Sequence, residues 1–161
     1  MEILIAVSIV VILAGLAFNG HTGRPVSATR SLAKNDVVQI ANAVLAYESE
    51  YGKLPPGGTD GTVDGQLVRV LTSEDIVNNP KRIMFMEVHP AQGKRSGISK
   101  DGVFVDPWGN PYRIALAVGD GKEIEVGGGE GPEKIMLHRR VGVWNVKDAK
   151  GKCRIPVASW E

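Results

Sequence analysis

The side chains that could do chemistry in this chain are few and scattered. Its three histidines, His21, His89 and His138, stand in a glycine-rich stretch, a Val-His-Pro turn and an alternating segment. None has a second histidine at zinc-binding spacing, and no nucleophile motif lies beside them. Cys153 is the single cysteine, which excludes an intrachain disulfide and a Cys-rich zinc site. The adjacent carboxylates Glu74 and Asp75 fall in a polar loop, where solvation is their default state. The glycines of residues 126–131 are not followed by Gly-Lys-Ser/Thr at a strand-to-helix junction, so they read as a flexible loop and not as a phosphate cradle. No catalytic constellation results. One acid does stand in an unusual setting: Glu2 borders an apolar run, and an ionised carboxylate there costs several kcal/mol unless it is neutralised or paired. Its chemistry is charge neutralisation, either by water at a membrane surface or by a positive group on a partner chain.

The elements that must position these residues follow from length and charge. At 161 residues the chain suits one folded domain with an appendage. Lys+Arg 19 against Asp+Glu 18 leaves a formal net charge of +1, so no strong field draws it to nucleic acid, which is not an expected partner.

From Ile3 to Phe18 the residues are apolar or small, interrupted only by Ser8 and Gly15. Length alone leaves open a signal-peptide core or a buried helix, since a span of the ~30 Å hydrocarbon layer takes about 20 residues. The missing basic stretch, with Glu2 where a secretory signal carries Lys or Arg, argues for a retained membrane helix over residues 1–18. Residues 19–26, with Gly20, Gly23 and Pro25, predict a kink. Ser27 can cap an amphipathic helix over 27–51, whose buried face is Ala33, Val37, Ile40, Ala41, Val44, Tyr47 and Tyr51. Gly52 and Pro55-Pro56 end it.

The globular part, residues 27–161, then passes through a loop region, 52–102, to a C-terminal β-sheet region, 103–161. Leu67, Val68, Val70 and Leu71 predict a short helix. Residues 83–88 are either a strand or an extended packing segment, and Gln92 to Asp101 reads as a surface loop. Asp106, Pro107, Trp108, Gly109, Asn110 and Pro111 form a rigid turn between β-prone runs, with Trp108 as a core plug beneath it. Residues 134–146 alternate and predict one long strand, paired antiparallel with residues 112–118 across a 119–133 loop and packed on the amphipathic helix.

Three stretches carry a family resemblance. Met1-Glu2-Ile3-Leu4-Ile5-Ala6-Val7-Ser8-Ile9-Val10-Val11-Ile12-Leu13-Ala14-Gly15-Leu16-Ala17 resembles the N-terminal segment of type IV pilins and type II secretion pseudopilins. Tyr47-Glu48-Ser49-Glu50-Tyr51-Gly52-Lys53-Leu54-Pro55 is similar to the end of their long helix. Asp106-Pro107-Trp108-Gly109-Asn110-Pro111-Tyr112 is similar to a segment of the major pseudopilin. The resemblance implies an α+β pilin fold, in which a long helix, apolar then amphipathic, packs on a small antiparallel β-sheet. It also implies a non-enzymatic subunit of a filament that supports protein export across the outer membrane. In such a filament Glu2 neutralises the N-terminal amine of a neighbour, and Ile3, Leu4, Ile5, Val7, Ile9, Val10 and Leu13 bundle with neighbouring helices. The family's basic leader, processing glycine and first mature residues would precede Met1, so a prepilin peptidase is an implied partner. Other pseudopilins and an inner-membrane assembly platform are the remaining partners. The location implied is the bacterial inner membrane, single-pass, with the C-terminal domain in the periplasm.

The family's calcium site is implied as well, because residues 144–160 are similar in outline to the family tail. Asp148 matches one carboxylate ligand. Arg154 stands where a second acid is usual, and Lys147, Lys150 and Lys152 crowd a loop that calcium would enter only weakly. A type IV pilus or DNA-uptake pilin is the alternative within the class, and a single-pass anchored enzyme or binding domain the alternative outside it.

Overall fold

The computed structural model describes residues 25–93, 95–117, 119, 121–127, 134–146 and 156–160. The apolar segment expected over 1–18, with Glu2 and its neighbours, and residues 19–24 of the expected kink lie outside them.

Helix α1 runs over Pro25–Tyr51. Proline suits a first helical turn, where its missing N–H is no loss, and the helix starts two residues ahead of the Ser27 cap. Its inner face buries Ala33, Val37, Ile40, Ala41, Val44 and Tyr47, with Tyr51 packed at the edge of the same cluster. These are the positions that the three- and four-residue spacing selects. Gly52 adopts φ +69° and donates its N–H to Glu48 O at 2.8 Å, the left-handed stop that a residue with a Cβ disfavours.

A second helix, α2, spans Gly65–Leu71 and buries Leu67, Val68, Val70 and Leu71 against the same core. Asp64 caps it by accepting the Leu67 N–H at 2.8 Å. Residues 83–88 settle as an extended packing segment. Phe85 lies 5.5 Å from the Tyr47 ring, Met86 is buried, and both backbone N–H groups reach Leu71 O. Asn79, fully buried, fastens this loop by donating to Val70 O and Ile83 O while accepting from the Tyr51 hydroxyl.

Six short strands follow among the described residues: β1 (Gly97–Ile98), β2 (Phe104–Val105), β3 (Arg113–Leu116), β4 (Ile124–Gly127), β5 (Lys134–Leu137) and β6 (Val141–Trp144). They pair antiparallel as β1-β2, β3-β6 and β4-β5. The architecture is therefore α+β, one long helix with small antiparallel sheets, consistent with a pilin-like fold. The expected pairing of the two C-terminal runs is present in β3-β6, with Arg113 opposite Trp144 and Leu116 opposite Val141.

Three expectations are corrected. The single strand over 134–146 is two strands, broken at residues 138–140, where Arg140 turns its side chain to helix α1. The 119–133 loop contains β4, whose Ile124 and Val126 are buried while Glu125 and Gly127 are exposed. That period-two pattern is short enough to be hidden by the glycines around it. The Gln92–Asp101 loop contains β1, which pairs with β2. The core divides accordingly: a large cluster lies around α1, and a smaller one holds Ile124, Val126, Trp144, Ala117 and Ala158.

Candidate functional site

Asp106 is the polar centre of the C-terminal region. It is 1% exposed, between the end of β2 and the turn that leads to β3. One carboxylate oxygen accepts the Trp108 N–H at 2.9 Å and the Asn110 N–H at 2.8 Å, while the backbone N–H of Asp106 donates to Asn110 O at 2.8 Å. Gly109, at φ +91°, donates to Asp106 O and closes the turn in a conformation that suits glycine. Trp108 is half-buried at the rim of the large core, not a plug beneath the turn. The buried members are Asp106 and Pro107.

The other oxygen of Asp106 accepts from Asn145 Nδ2 at 3.1 Å. Asn145, fully buried, in turn accepts the Val157 N–H at 2.8 Å, and its own N–H donates to Val157 O. Residues 156–160 thus lie beside β6. Ser159 donates its N–H to Val143 O and receives the Val143 N–H on its hydroxyl, and Trp160 meets Trp144 edge to face at 5.8 Å. Turn, last strand and closing segment are joined through one asparagine. Sequence reasoning placed Asn145 only as a member of an alternating run. A buried asparagine at a strand end is not distinguished by composition or period.

Two further polar contacts tie helix α1 to the sheets. Arg140 Nε donates to Glu48 Oε1 at 2.8 Å, and its Nη1 donates to Gly119 O at 2.7 Å and to Gly121 O. The pair is largely shielded, with side chains 24% and 21% exposed. Asp36 accepts the Tyr112 hydroxyl at 2.7 Å. Burial pushes the Asp36 carboxyl above its ordinary value, against the lowering effect of hydrogen bonds from Ser96 and Tyr112, with Asp106 adding a smaller upward push.

The sign of the resulting pH effect is fixed. A carboxyl whose pKa is raised by folding binds its proton more tightly in the native state, so its contribution to stability is greatest below the ordinary value of 3.8 and is lost as pH rises through the folded value. Unfolding of the wild type and of Asp36→Asn in urea, stepped down from neutral pH, is expected to show the wild type gaining relative to the variant. A constant difference across the series would mean that the carboxyl titrates as it does in the unfolded chain.

The chain is 26% identical over 153 residues to a type II secretion system core protein G of Aeromonas hydrophila, a match covering 92% of this chain and 91% of that protein. No family model and no solved structure matches it.

Of the other residues singled out in sequence, His89 is exposed, and His138 lies 3.0 Å from Glu123 with both side chains open to water. Neither faces a nucleophile. The groove between α1 and β6, lined by Val38, Asn42, Leu45, Arg139, Arg140 and Ser159, places no general base beside the serine, whose hydroxyl already bonds Val143 N–H. Glu2, Ile3, Leu4, Ile5, Val7, Ile9, Val10, Leu13, His21, Asp148 and Cys153 lie outside the described residues. Among the described residues no group of three His, Cys, Asp or Glu could hold a metal ion. No helix among the described residues is long and apolar enough to cross a membrane.

Proposed function

We propose that this chain is a structural subunit of a type II secretion-type pseudopilus, held in the bacterial inner membrane by a single span, with its folded domain in the periplasm. Its part in export is mechanical and not catalytic. The observation that carries the reading is the likeness to core protein G, which extends over nine-tenths of both chains. The long helix followed by small antiparallel sheets is the architecture such a subunit requires.

In this reading residues 1–18 form the membrane and polymerisation segment, 19–26 a kink and 27–161 the globular domain. Glu2 neutralises the terminal amine of the next subunit, because two opposite charges removed from water are tolerated only as a pair. Ile3, Leu4, Ile5, Val7, Ile9, Val10 and Leu13 pack between neighbouring helices. Contacts of this head-to-tail kind do not close on themselves and so grow a fibre. The partners are further copies of the chain, other pseudopilins, an inner-membrane assembly platform and a prepilin peptidase acting on a leader.

The reading is tested by producing the chain in secretion-competent cells and crosslinking through engineered cysteine pairs on neighbouring subunits. Ladders of multimers are expected. Glu2→Ala is expected to reduce their yield by more than about tenfold, since an unpaired buried amine costs several kcal/mol. Undiminished ladders from the variant would remove charge pairing from the assembly step, and the absence of ladders from the unaltered chain would remove the filament.

A further inference from the structure

The outer face of helix α1 carries no charge between residues 31 and 49. The helix has three charged residues in that span, and all are turned to the domain: Lys34 Nζ donates to Ala158 O at 2.7 Å, Asp36 accepts the Tyr112 hydroxyl, and Glu48 accepts from Arg140. A surface helix ordinarily shows its charges to water. Here the outward residues are amides, serines and aliphatics, among them Asn35, Gln39, Asn42 and Leu45. Depletion of charge is what separates the centre of a protein interface from ordinary surface.

The spacing within that face identifies what fits it. Ala28, Asn35, Asn42 and Ser49 recur every seven residues, and Ser31, Val38 and Leu45 follow the first three of them at a distance of three. These are the a and d positions of a heptad repeat, the seam along which two helices pack knobs into holes. All are exposed except Val38, which is half-buried. Val38 and Asn42 form a ridge between two shallow grooves, one bordered by Val141 of β6 and the other by Phe85, the relief with which a second helix interlocks. In a parallel pair a meets a and d meets d. Each asparagine then faces the same asparagine, whose amide both donates and accepts, while Val38 and Leu45 face their like. An antiparallel pair would set the amides against Val38 and Leu45 and leave them unbonded. The flanking e positions, Leu32, Gln39 and Ala46, are uncharged, so no like charges meet across the seam.

We infer that the outer face of α1 is a contact between two copies of this chain, packed parallel and in register through Asn35, Val38, Asn42 and Leu45. The contact is weak by construction, because two faces about 30 Å long bury less than the ~1,200 Å² of a stable interface. It forms where copies are already concentrated. It lies outside residues 1–18 and does not rest on the filament, and its test is repeated with Glu2→Ala so that the failure of one is told from the failure of the other.

The full chain carrying Cys153→Ser, so that each introduced cysteine is the only one, is oxidised in mild detergent at a series of concentrations. Asn42→Cys is expected to form a disulfide dimer at least about tenfold faster than Thr59→Cys, an exposed loop position, because only the seam holds two copies of one residue at bonding distance. A mixture of Asn35→Cys and tagged Leu45→Cys chains is expected to join like with like, since the mixed pair is the antiparallel product. Adding Asn42→Lys or Leu45→Lys to the Asn35→Cys chain is expected to slow its dimer about tenfold, as like charges then face each other across the seam. The melting temperature stays near that of the parent, because both side chains are exposed. With Glu2→Ala the Asn42→Cys dimer is expected to form undiminished, even where the ladders are lost. Equal rates at positions 42 and 59, a predominant mixed product, indifference to both lysines, or loss of the Asn42→Cys dimer with Glu2→Ala would each overturn the inference.

Discussion

Replacing Asp106 by alanine is expected to lower the unfolding free energy by about 3 kcal/mol and the melting temperature by roughly 10 °C. The side chain is buried and accepts from the Trp108 and Asn110 backbone and from Asn145 Nδ2. Its removal leaves donors on two sides without an acceptor and out of reach of water, and that penalty exceeds the net worth of any one of the bonds. Asp106→Asn separates the two halves of the site. The amide oxygen can still serve the turn, but its NH₂ then faces the Asn145 NH₂, donor against donor. A loss of about 1–2 kcal/mol is expected there, with faster proteolysis of the segment 156–160 that Asn145 holds. Thermal melts and limited proteolysis of the two variants check this. An alanine variant that melts with the wild type would show that the turn is held by its proline and glycine geometry alone.

Tyr47→Ala is expected to cost about 4 kcal/mol, the scale of deleting a buried aromatic ring. Tyr47 is fully buried on the inner face of α1, 4.6 Å from the Tyr51 ring and 5.5 Å from that of Phe85, so truncation opens a cavity between the helix and the 83–88 segment. Its hydroxyl donates to Asn78 O at 2.7 Å, and Tyr47→Phe, which removes only that bond, is expected to cost about 1 kcal/mol. Urea unfolding of the pair apportions the ring and the hydroxyl. Similar losses in both would place the weight of this contact on the loop that carries Asn78 and Asn79, not on the ring.

The long helix was legible because its buried positions recur every three or four residues and its stop is written twice, as Gly52 and as Pro55-Pro56. The α2 helix was legible for the same reason on a smaller scale. The β3-β6 pairing was legible from two apolar runs flanking a turn. What escaped were elements whose signal is shorter than a period can reveal. Strand β4 offers only Ile124 and Val126 between glutamates and glycines, and β1 is Gly97–Ile98 alone. The break between β5 and β6 escaped because the three polar residues His138-Arg139-Arg140 also suit an exposed stretch of one strand, and only the distant acceptor Glu48 explains why Arg140 turns towards the helix. The same holds for the polar hub. The Asp106 turn was visible in its prolines and glycine, whereas Asn145 and Val157 acquire their roles from a meeting that no local spacing encodes.

Three of the polar contacts that fasten α1 to the rest of the domain bridge long stretches of chain. Tyr112 lies 76 residues beyond Asp36, Arg140 lies 92 beyond Glu48, and Ala158, whose carbonyl receives the Lys34 ammonium, lies 124 beyond that lysine. Chains dominated by such distant contacts fold slowly, because loop closure must be met before the contact rewards it. The helix is synthesised early, its partners late. Until they arrive, the stripe from Ala33 to Tyr47 faces solvent uncovered, in the kind of state that chaperones shelter and proteases sample. The interval in which this protein is most vulnerable is therefore set by the order of its synthesis, before any question of how stable the finished domain is.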